Sequence, residues 1–368
     1  MLSIWEKESL LSYDIIIVGA GITGLSTAAS LKERRKDLSV LVLERGLLPT
    51  GASTKNAGFA CFGSLSELIE DEKNMGTEAM LDLVEKRWKG LLLTRKRLGD
   101  QTIDFHQHGG YELVFGTADD IPGQIENFNQ KLSSIFPSPV FSDHTSQLPS
   151  FGFAQTERLL LNQFEGQIDT GKMMSALWQY CTELGVKILT GAMVTHVENN
   201  AVEANLRYRF EAGAVIVCTN AFTPGLVDVP LLPGRGMVMA VNPATPLKFK
   251  GAFHYDQGYY YFRDHGHKLI FGGGRNLDFE GETSTLFEIN KKIQLKLQED
   301  LANIILPGIT YTIEHLWTGI MAFGDTKSPI VERSENGVYL GVRLGGMGVA
   351  IGSLVGEELA EMVLQGSF

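Results

Sequence analysis

Glycines at positions 19, 21 and 24 and a glutamate at 44 are the residues whose types and spacing most directly suggest chemistry. Gly19, Gly21 and Gly24 form a G-x-G-x-x-G pattern immediately after the apolar run Ile15 to Val18. In that order the first glycine permits a tight turn, the second lets a pyrophosphate approach the backbone, and the third lets helix and strand pack closely. Glu44 follows a second apolar run, Val40 to Leu43, and lies twenty residues past Gly24. A carboxylate there accepts hydrogen bonds from a ribose 2′-OH and repels a 2′-phosphate, which disfavours NADP. The chemistry expected is dinucleotide binding, with FAD and NAD both open at this point. A lone glycine pattern is common in loops that bind nothing, but here strand, glycines, helix, second strand and acid fall in register.

Holding those residues in place requires a βαβ unit. Ile15 to Val18 is too apolar to face water and reads as a buried parallel strand. A helix is predicted over 22–34, small near its start at Ser26, Ala28 and Ala29, so its free N–H groups and positive dipole end face the phosphates. Arg45 to Ser64, dense in Gly, Ala, Ser and Thr, is either a flexible loop or backbone lying close against a flat ligand. Helices are predicted over 66–73 and 78–98, then a strand pattern over 103–114 and a proline-bearing loop region from Pro122 to Pro149. Asp169 or Thr170 caps a helix with the stripe Met173, Leu177, Tyr180, Cys181 and Leu184, which Gly185 ends.

Ala214 to Cys218 is another fully apolar strand, opening into Thr219 and Asn220 at what would be the cofactor edge. A proline-rich departure from Pro224 to Pro246 leads to a hairpin, Gly258 to Arg263 and Lys268 to Arg275, and then to a helix over 287–305. The chain closes with strand, glycines and helix over 338–363, where Gly345, Gly346 and Gly348 would bring a second positive helix end to the same site. The predicted fold is α/β (α+β overall). A discontinuous Rossmann-like dinucleotide-binding domain, residues 1–100, 150–225 and 317–368, carries an inserted, mostly antiparallel substrate domain of residues 101–149 and 226–316.

Composition narrows the function classes. The 368-residue chain carries 43 acids against 32 bases, a formal charge of −11 with no basic stripe, which opposes nucleic-acid binding. Its apolar runs fall far short of the roughly 20 residues needed to cross a bilayer. The opening MLSIWEKESLLSYD lacks a charged-then-apolar leader layout, so a cytoplasmic location is expected. Cys61, Cys181 and Cys218 make no close pair and indicate neither a disulfide framework nor a zinc site. His106, His108, His254, His265 and His267 form no metal-ligand pattern, and solvated or turn positions are expected for them.

Taken together, the glycine fingerprint with Glu44, the GASTKNAGF loop, the G-x-I-D start of the middle helix, the YYYFR…LIFGGGR hairpin, the W-x-G element at Trp317 and the closing GGMGVAIGSLVGEELAEM resemble the D-amino-acid oxidase family of FAD-dependent oxidoreductases. That family includes glycine, sarcosine and glutamylputrescine oxidases, and the resemblance covers nearly the whole chain. It implies FAD, with its pyrophosphate over Gly19, Gly21 and Gly24 and near Ser53 and Thr54. Glu44 would hold the adenosine ribose, Arg45 is counted with the cofactor residues, and Val194 would offer backbone groups to the adenine. Thr219 and Asn220 would lie near the cofactor, and Asn56, Ala57 and Gly58 would pass beside the isoalloxazine. Gly346, Met347 and Gly348 would direct N–H groups at the flavin C2 carbonyl, where a helix end stabilises negative charge on the reduced ring.

Three further residues belong to the expected catalytic set: Tyr260, Trp317 and Met321. Tyr260 matches the hairpin position where several members place a hydroxyl over the substrate. Alternation along a strand puts Tyr259 and Tyr261 on the opposite face. Members that oxidise simple amino acids read W-x-G-x-R-P, with the arginine gripping the substrate carboxylate. Here the sequence is WTGIMAFG, and Met321, in the arginine's place, cannot pair with a carboxylate. An amine, or an N-substituted amino acid whose acid is held elsewhere, fits better than an ordinary α-amino acid. Arg235, Arg263 and Arg275 could supply a relocated anchor, and each is equally consistent with a structural salt bridge.

The activity implied is oxidation of a C–N bond by hydride transfer to flavin N5, followed by hydrolysis of the imine. The acceptor, oxygen or a quinone or carrier, is not fixed by the sequence. A D-amino-acid dehydrogenase-like enzyme and a non-catalytic FAD-bearing subunit are the alternatives. A disulfide reductase would need a second fingerprint and a redox cysteine pair, and neither is present. Cys61 does not match the position of known cysteine tethers, so non-covalent FAD is expected. A small-molecule amine is the expected partner, and self-association into an oligomer is left open.

Overall fold

The computed structural model describes residues 3–116 and 120–366. Its first sheet runs in the order Ile330–Arg333, Tyr339–Val342, Tyr208–Val217, Ser12–Val18, Val40–Leu43, Lys187–Leu189. Neighbours in this order are parallel except the antiparallel edge strand Ile330–Arg333, and Ala201–Ala204 and Val194–Val197 add two more antiparallel strands beside Tyr208–Val217. Burial on both faces explains why the first strand is an unbroken apolar run. Ile15 and Ile17 pack under the helices Ile22–Arg34, Thr170–Glu183 and Gly348–Gln365, and Ile16 and Val18 pack on the opposite layer with Val197, Val202 and Ile320.

The second sheet has the order Tyr311–Phe323, Leu232–Pro243, Lys268–Gly273, Tyr260–His265, Ala252–Tyr255, Gly110–Val114, Arg158–Asn162, Phe141–Asp143. It is antiparallel apart from the parallel contact of Ala252–Tyr255 with Gly110–Val114. One face buries Phe253, Phe262 and Phe271 against Ile293 and Leu297 of the helix Lys291–Asp300, which runs on through a wider turn over Leu301–Ile305.

Several expectations change. Strand Arg158–Asn162, assigned by sequence to the nucleotide-binding segment 150–225, pairs in the second sheet, and strand Tyr311–Phe323 crosses the expected boundary at 317. The strand expected over 103–114 is confined to Gly110–Val114. The proline-bearing loop region contains a helix, Ile121–Leu132, capped by the Asp120 side chain. Pro122 sits in its first turn, where the missing N–H breaks no helical bond.

Candidate active site

A cleft of about 1150 Å³ is lined by residues of both sheets and of the loop that follows Glu44. That exceeds the usual range for a single small ligand and leaves room for a dinucleotide and a substrate together. At its nucleotide end, Gly19 has φ 106°, and a Cβ there would come 2.8 Å from the Cys218 carbonyl oxygen. A Cβ on Gly24 would collide with the Gly19 carbonyl, so the helix sits on the turn only because Gly24 has no side chain. Gly21, the helix cap, has no side chain to offer the first-turn N–H groups. Ser53 Oγ accepts the Ile22 N–H at 2.9 Å. Glu44 is buried and accepts N–H groups from Ala20 at 3.1 Å and Gly46 at 3.0 Å. The Arg45 guanidinium carbon lies over the Phe222 ring, 3.8 Å from its centroid, and Val194, Thr219 and Asn220 complete this end.

Asn220 does more than line the cleft. Its side-chain oxygen accepts the Arg343 N–H at 3.0 Å and ties the end of the returning strand to the glycine loop that starts the last helix. Gly345 and Gly346 have φ 57° and 83°, and Met347 caps the helix Gly348–Gln365 without a side-chain bond. Two helix ends whose own cap residues make no side-chain bond therefore open on one cleft, each a ready site for negative charge. Asn56 braces the intervening loop by donating to the Ser53 carbonyl at 2.9 Å and accepting from Gly58 N–H and the Thr170 hydroxyl.

Other expected residues lie behind the wall. The Thr54 hydroxyl donates to Pro49 O at 2.6 Å, and Gly58, at φ 77°, backs onto Ile168 and Arg263. The Trp317 indole donates to Lys55 O at 2.9 Å, which makes it a brace between loop and sheet. Ala57 and Met321 are on the wall.

Tyr260 requires a correction. It is 3% exposed and its ring stacks on Tyr255 at 4.7 Å, inside the core of the second sheet. The alternation along the strand holds, but Tyr259 and Tyr261 face the cleft. The Tyr261 hydroxyl lies 3.9 Å from where a Cβ on Gly236 would be, and the Met321 methyl lies 2.9 Å from that point. Gly236 stands opposite Gly319 in the strand register, so bare backbone floors the cleft beside Met321 and Tyr261. A Cβ on Gly346 would lie 3.4 Å from Met321 Sδ, which places the methionine beside the last helix's glycine loop. Burial pushes the Tyr261 hydroxyl up to about 12, so it is a neutral hydrogen-bonding group at physiological pH.

The sequence reading missed a buried cluster. Ligand atoms of Cys61, Glu165 and His254 lie within 4.8 Å of one another, and Cys61 and His254 reach the cleft. His254 Nε2 is 3.6 Å from Glu165 Oε2, and Glu165 Oε1 accepts the N–H groups of Phe62 and Gly63. Burial pushes the Glu165 carboxyl up, but the His254 contact and the two N–H groups hold it below the usual range. Burial depresses His254, yet Glu165 raises it above its ordinary value. Burial, followed by the charge of Glu165, pushes the Cys61 thiol far up and so disfavours its thiolate. His254 is therefore not the solvated residue expected. The register pairs His254 with Tyr261, a relation visible only after the strands are aligned.

The bare glycine floor, the two helix ends whose own cap residues make no side-chain bond and the carboxylate at Glu44 fit a flavin dinucleotide. Together with the nucleotide sheet and the second sheet closing over it, they define a flavin-dependent oxidoreductase. The profile of the family described as DAO, FAD dependent oxidoreductase, matches residues 14–362, and the chain belongs to that family. It is 22% identical over 95% of its length to the probable oxidoreductase OrdL of Haemophilus influenzae and 23% identical over 95% to the gamma-glutamylputrescine oxidoreductase of Escherichia coli, covering 83% of each. It is 27% identical to the bifunctional protein ThiO/ThiG of Synechocystis over 62% of this chain, and spans only 33% of that protein. Its fold matches the L-proline dehydrogenase of P. horikoshii with a TM-score of 0.76 at 18% identity, covering 97% and 95% of the two chains. The iminodiacetate oxidase of Chelativorans sp. gives a TM-score of 0.76 at 17% identity, with 95% of both chains covered.

Proposed function

We propose that this FAD-dependent oxidoreductase oxidises the C–N bond of an amine or N-substituted amino acid. The observation that carries the reading is Met321, an uncharged side chain on the cleft wall beside Tyr261 and the glycine floor. Bound FAD supplies the acceptor for the hydride. The substrate carbon loses that hydride and the nitrogen a proton, leaving an imine that water hydrolyses to a carbonyl and a free amine.

The chain's own part is to bind, orient and exclude water. Tyr261 donates or accepts one hydrogen bond as a neutral hydroxyl, while Met321 and Phe323 supply apolar wall. Glu67, Glu70 and Asp71, on one face of the helix Leu65–Met75, line another part of the cleft, and Asp71 is paired with Lys327. These acids favour a basic substrate. The gamma-glutamylputrescine oxidoreductase and iminodiacetate oxidase among the similar proteins agree with an N-substituted amine.

Among the cleft-lining residues, Asn56, Asn220 and Glu44 are taken to hold the cofactor together with the two helix ends, and Trp317 to position the loop. Residues 1–100, 150–225 and 317–368, apart from the strand Arg158–Asn162 and the end of Tyr311–Phe323 that pair in the second sheet, then contribute mainly to the FAD half, and the hairpin with its neighbouring strands to the substrate half.

The test is anaerobic bleaching of the bound flavin with methylamines, polyamine derivatives and D- and L-amino acids. Reduction by an amine and not by simple α-amino acids is the expected result. Fastest reduction by a free α-amino acid would overturn the reading of Met321, and no reduction by any of them would leave a non-catalytic FAD-bearing subunit. Oxygen uptake against quinone reduction in the same samples assigns the acceptor.

A further inference from the structure

The geometry points to Arg275 as the anchor for an anionic group on the substrate, so that the amine oxidised carries a carboxylate. This deepens the amine-oxidising reading above and rests on it. Of the arginines that could replace the missing one at Met321, Arg235 is already committed. It makes a bidentate pair with Glu282 at 3.0 and 2.8 Å and donates to the Gly281 and Leu286 carbonyls. Arg263 is 5% exposed behind Gly58 and does not reach the cleft wall.

Arg275 is on the wall and forms no ion pair among the described residues. Its guanidinium carbon lies 4.1 Å from the Phe323 ring centroid and 5.1 Å from that of Phe279. Ring contacts neutralise no charge, so this guanidinium keeps its positive charge for a carboxylate, the partner with which arginine pairs most strongly. Its Nε is buried without a hydrogen-bond partner among the described residues, a donor that a ligand could take up.

The position also suits. A Cβ on Gly234 would lie 3.0 Å from the Arg275 guanidinium carbon, and one on Gly236 would lie 2.9 Å from the Met321 methyl. These glycines project on one face of a single strand, roughly 7 Å apart. An acid held by Arg275 would thus sit a few bonds from a C–N bond lying over Met321 and Tyr261. Of the other cations of the cleft, Lys327 pairs with Asp71, Arg45 lies at the nucleotide end over Phe222, and Lys55, with its Nζ 5.2 Å from the Phe287 ring centroid, is the competing candidate that the test includes.

The test uses the FAD-loaded protein and a non-oxidisable pair of probes, (methylthio)acetate and its uncharged amide, read by perturbation of the flavin absorbance. The acid is expected to bind more tightly than the amide, and Arg275→Met to weaken the acid roughly ten- to a hundredfold. Arg275→Lys should recover part of that loss, and flavin content and melting temperature verify that both variants fold. Equal binding of acid and amide, or acid binding that survives Arg275→Met, overturns the assignment. So does loss of acid binding in Lys55→Met but not in Arg275→Met. Because the probes report binding without turnover, this result is independent of whether any amine reduces the flavin.

Discussion

Tyr260 and Tyr261 are adjacent in the chain and opposite in environment, which separates their roles experimentally. Tyr261→Phe removes one neutral hydrogen bond from the cleft and should lower the rate of anaerobic flavin reduction about tenfold. With its hydroxyl pushed up to about 12, Tyr261 should add no limb to the rate profile between pH 6 and 10, roughly the span that common buffers cover. Tyr260→Ala removes a core ring and should cost about 3–5 kcal/mol in urea unfolding. A rate loss in Tyr260→Ala with stability intact would reverse the assignment. The buried His254 and Glu165 pair makes a second residue-level prediction. His254, raised above 6.5, contributes stability that is full below that pH and fades as pH rises through its higher folded value. Glu165, held below 4.5, contributes above that pH and fades as pH falls. His254→Leu leaves the buried carboxylate unpaired, so its destabilisation, of order 3–5 kcal/mol, should peak between those limits and shrink as pH rises through the folded value of His254. Urea melts across a pH series check this, and a pH-independent loss would show that the pair is not ionised.

At the level of elements, what could be read from the sequence was what is local. The first turn, its helix Ile22–Arg34 and the strand Val40–Leu43 fall where the glycines and apolar runs predict, because each glycine does its work against neighbours a few residues away. Gly24→Ala tests that dependence. Its methyl group would press on the Gly19 carbonyl, moving the helix end, and should weaken FAD retention roughly ten- to a hundredfold. The ratio of flavin to protein absorbance after gel filtration reads it, and full retention would mean that the helix end does not hold the phosphates. Elements set by distant partners were not legible. The stretch from Pro122 reads as a loop, yet Asp120 caps and Pro122 starts a helix whose Phe128 and Leu132 are buried against Phe62 and Val84. The choice between the two faces of the tyrosine strand depended on Phe253 and Phe271 filling the other side, and alternation alone could not make it. Cys61, Glu165 and His254 meet only because a loop, a turn and a strand from separate stretches close on one another.

At the scale of the whole molecule, the cleft is walled by both sheets, so a ligand that fills it binds the native state and not the unfolded chain. Stability should then rise with free FAD by about 4 kcal/mol at a thousandfold excess over its dissociation constant, seen as a concentration-dependent melting temperature. The same walls decide whether the cofactor is tethered. Cys61 and Cys218 are the cysteines that line the cleft. Attack on a flavin ring needs a thiolate. Burial and the charge of Glu165 keep Cys61 protonated, and burial pushes Cys218 up to about 12. Acid precipitation should therefore leave the yellow colour in the supernatant and a colourless pellet. Colour carried down with the protein would mean that a bond forms despite the protonated thiols. The histidines or tyrosines of the cleft, His254, Tyr259 and Tyr261, would then be the residues to map by peptide mass.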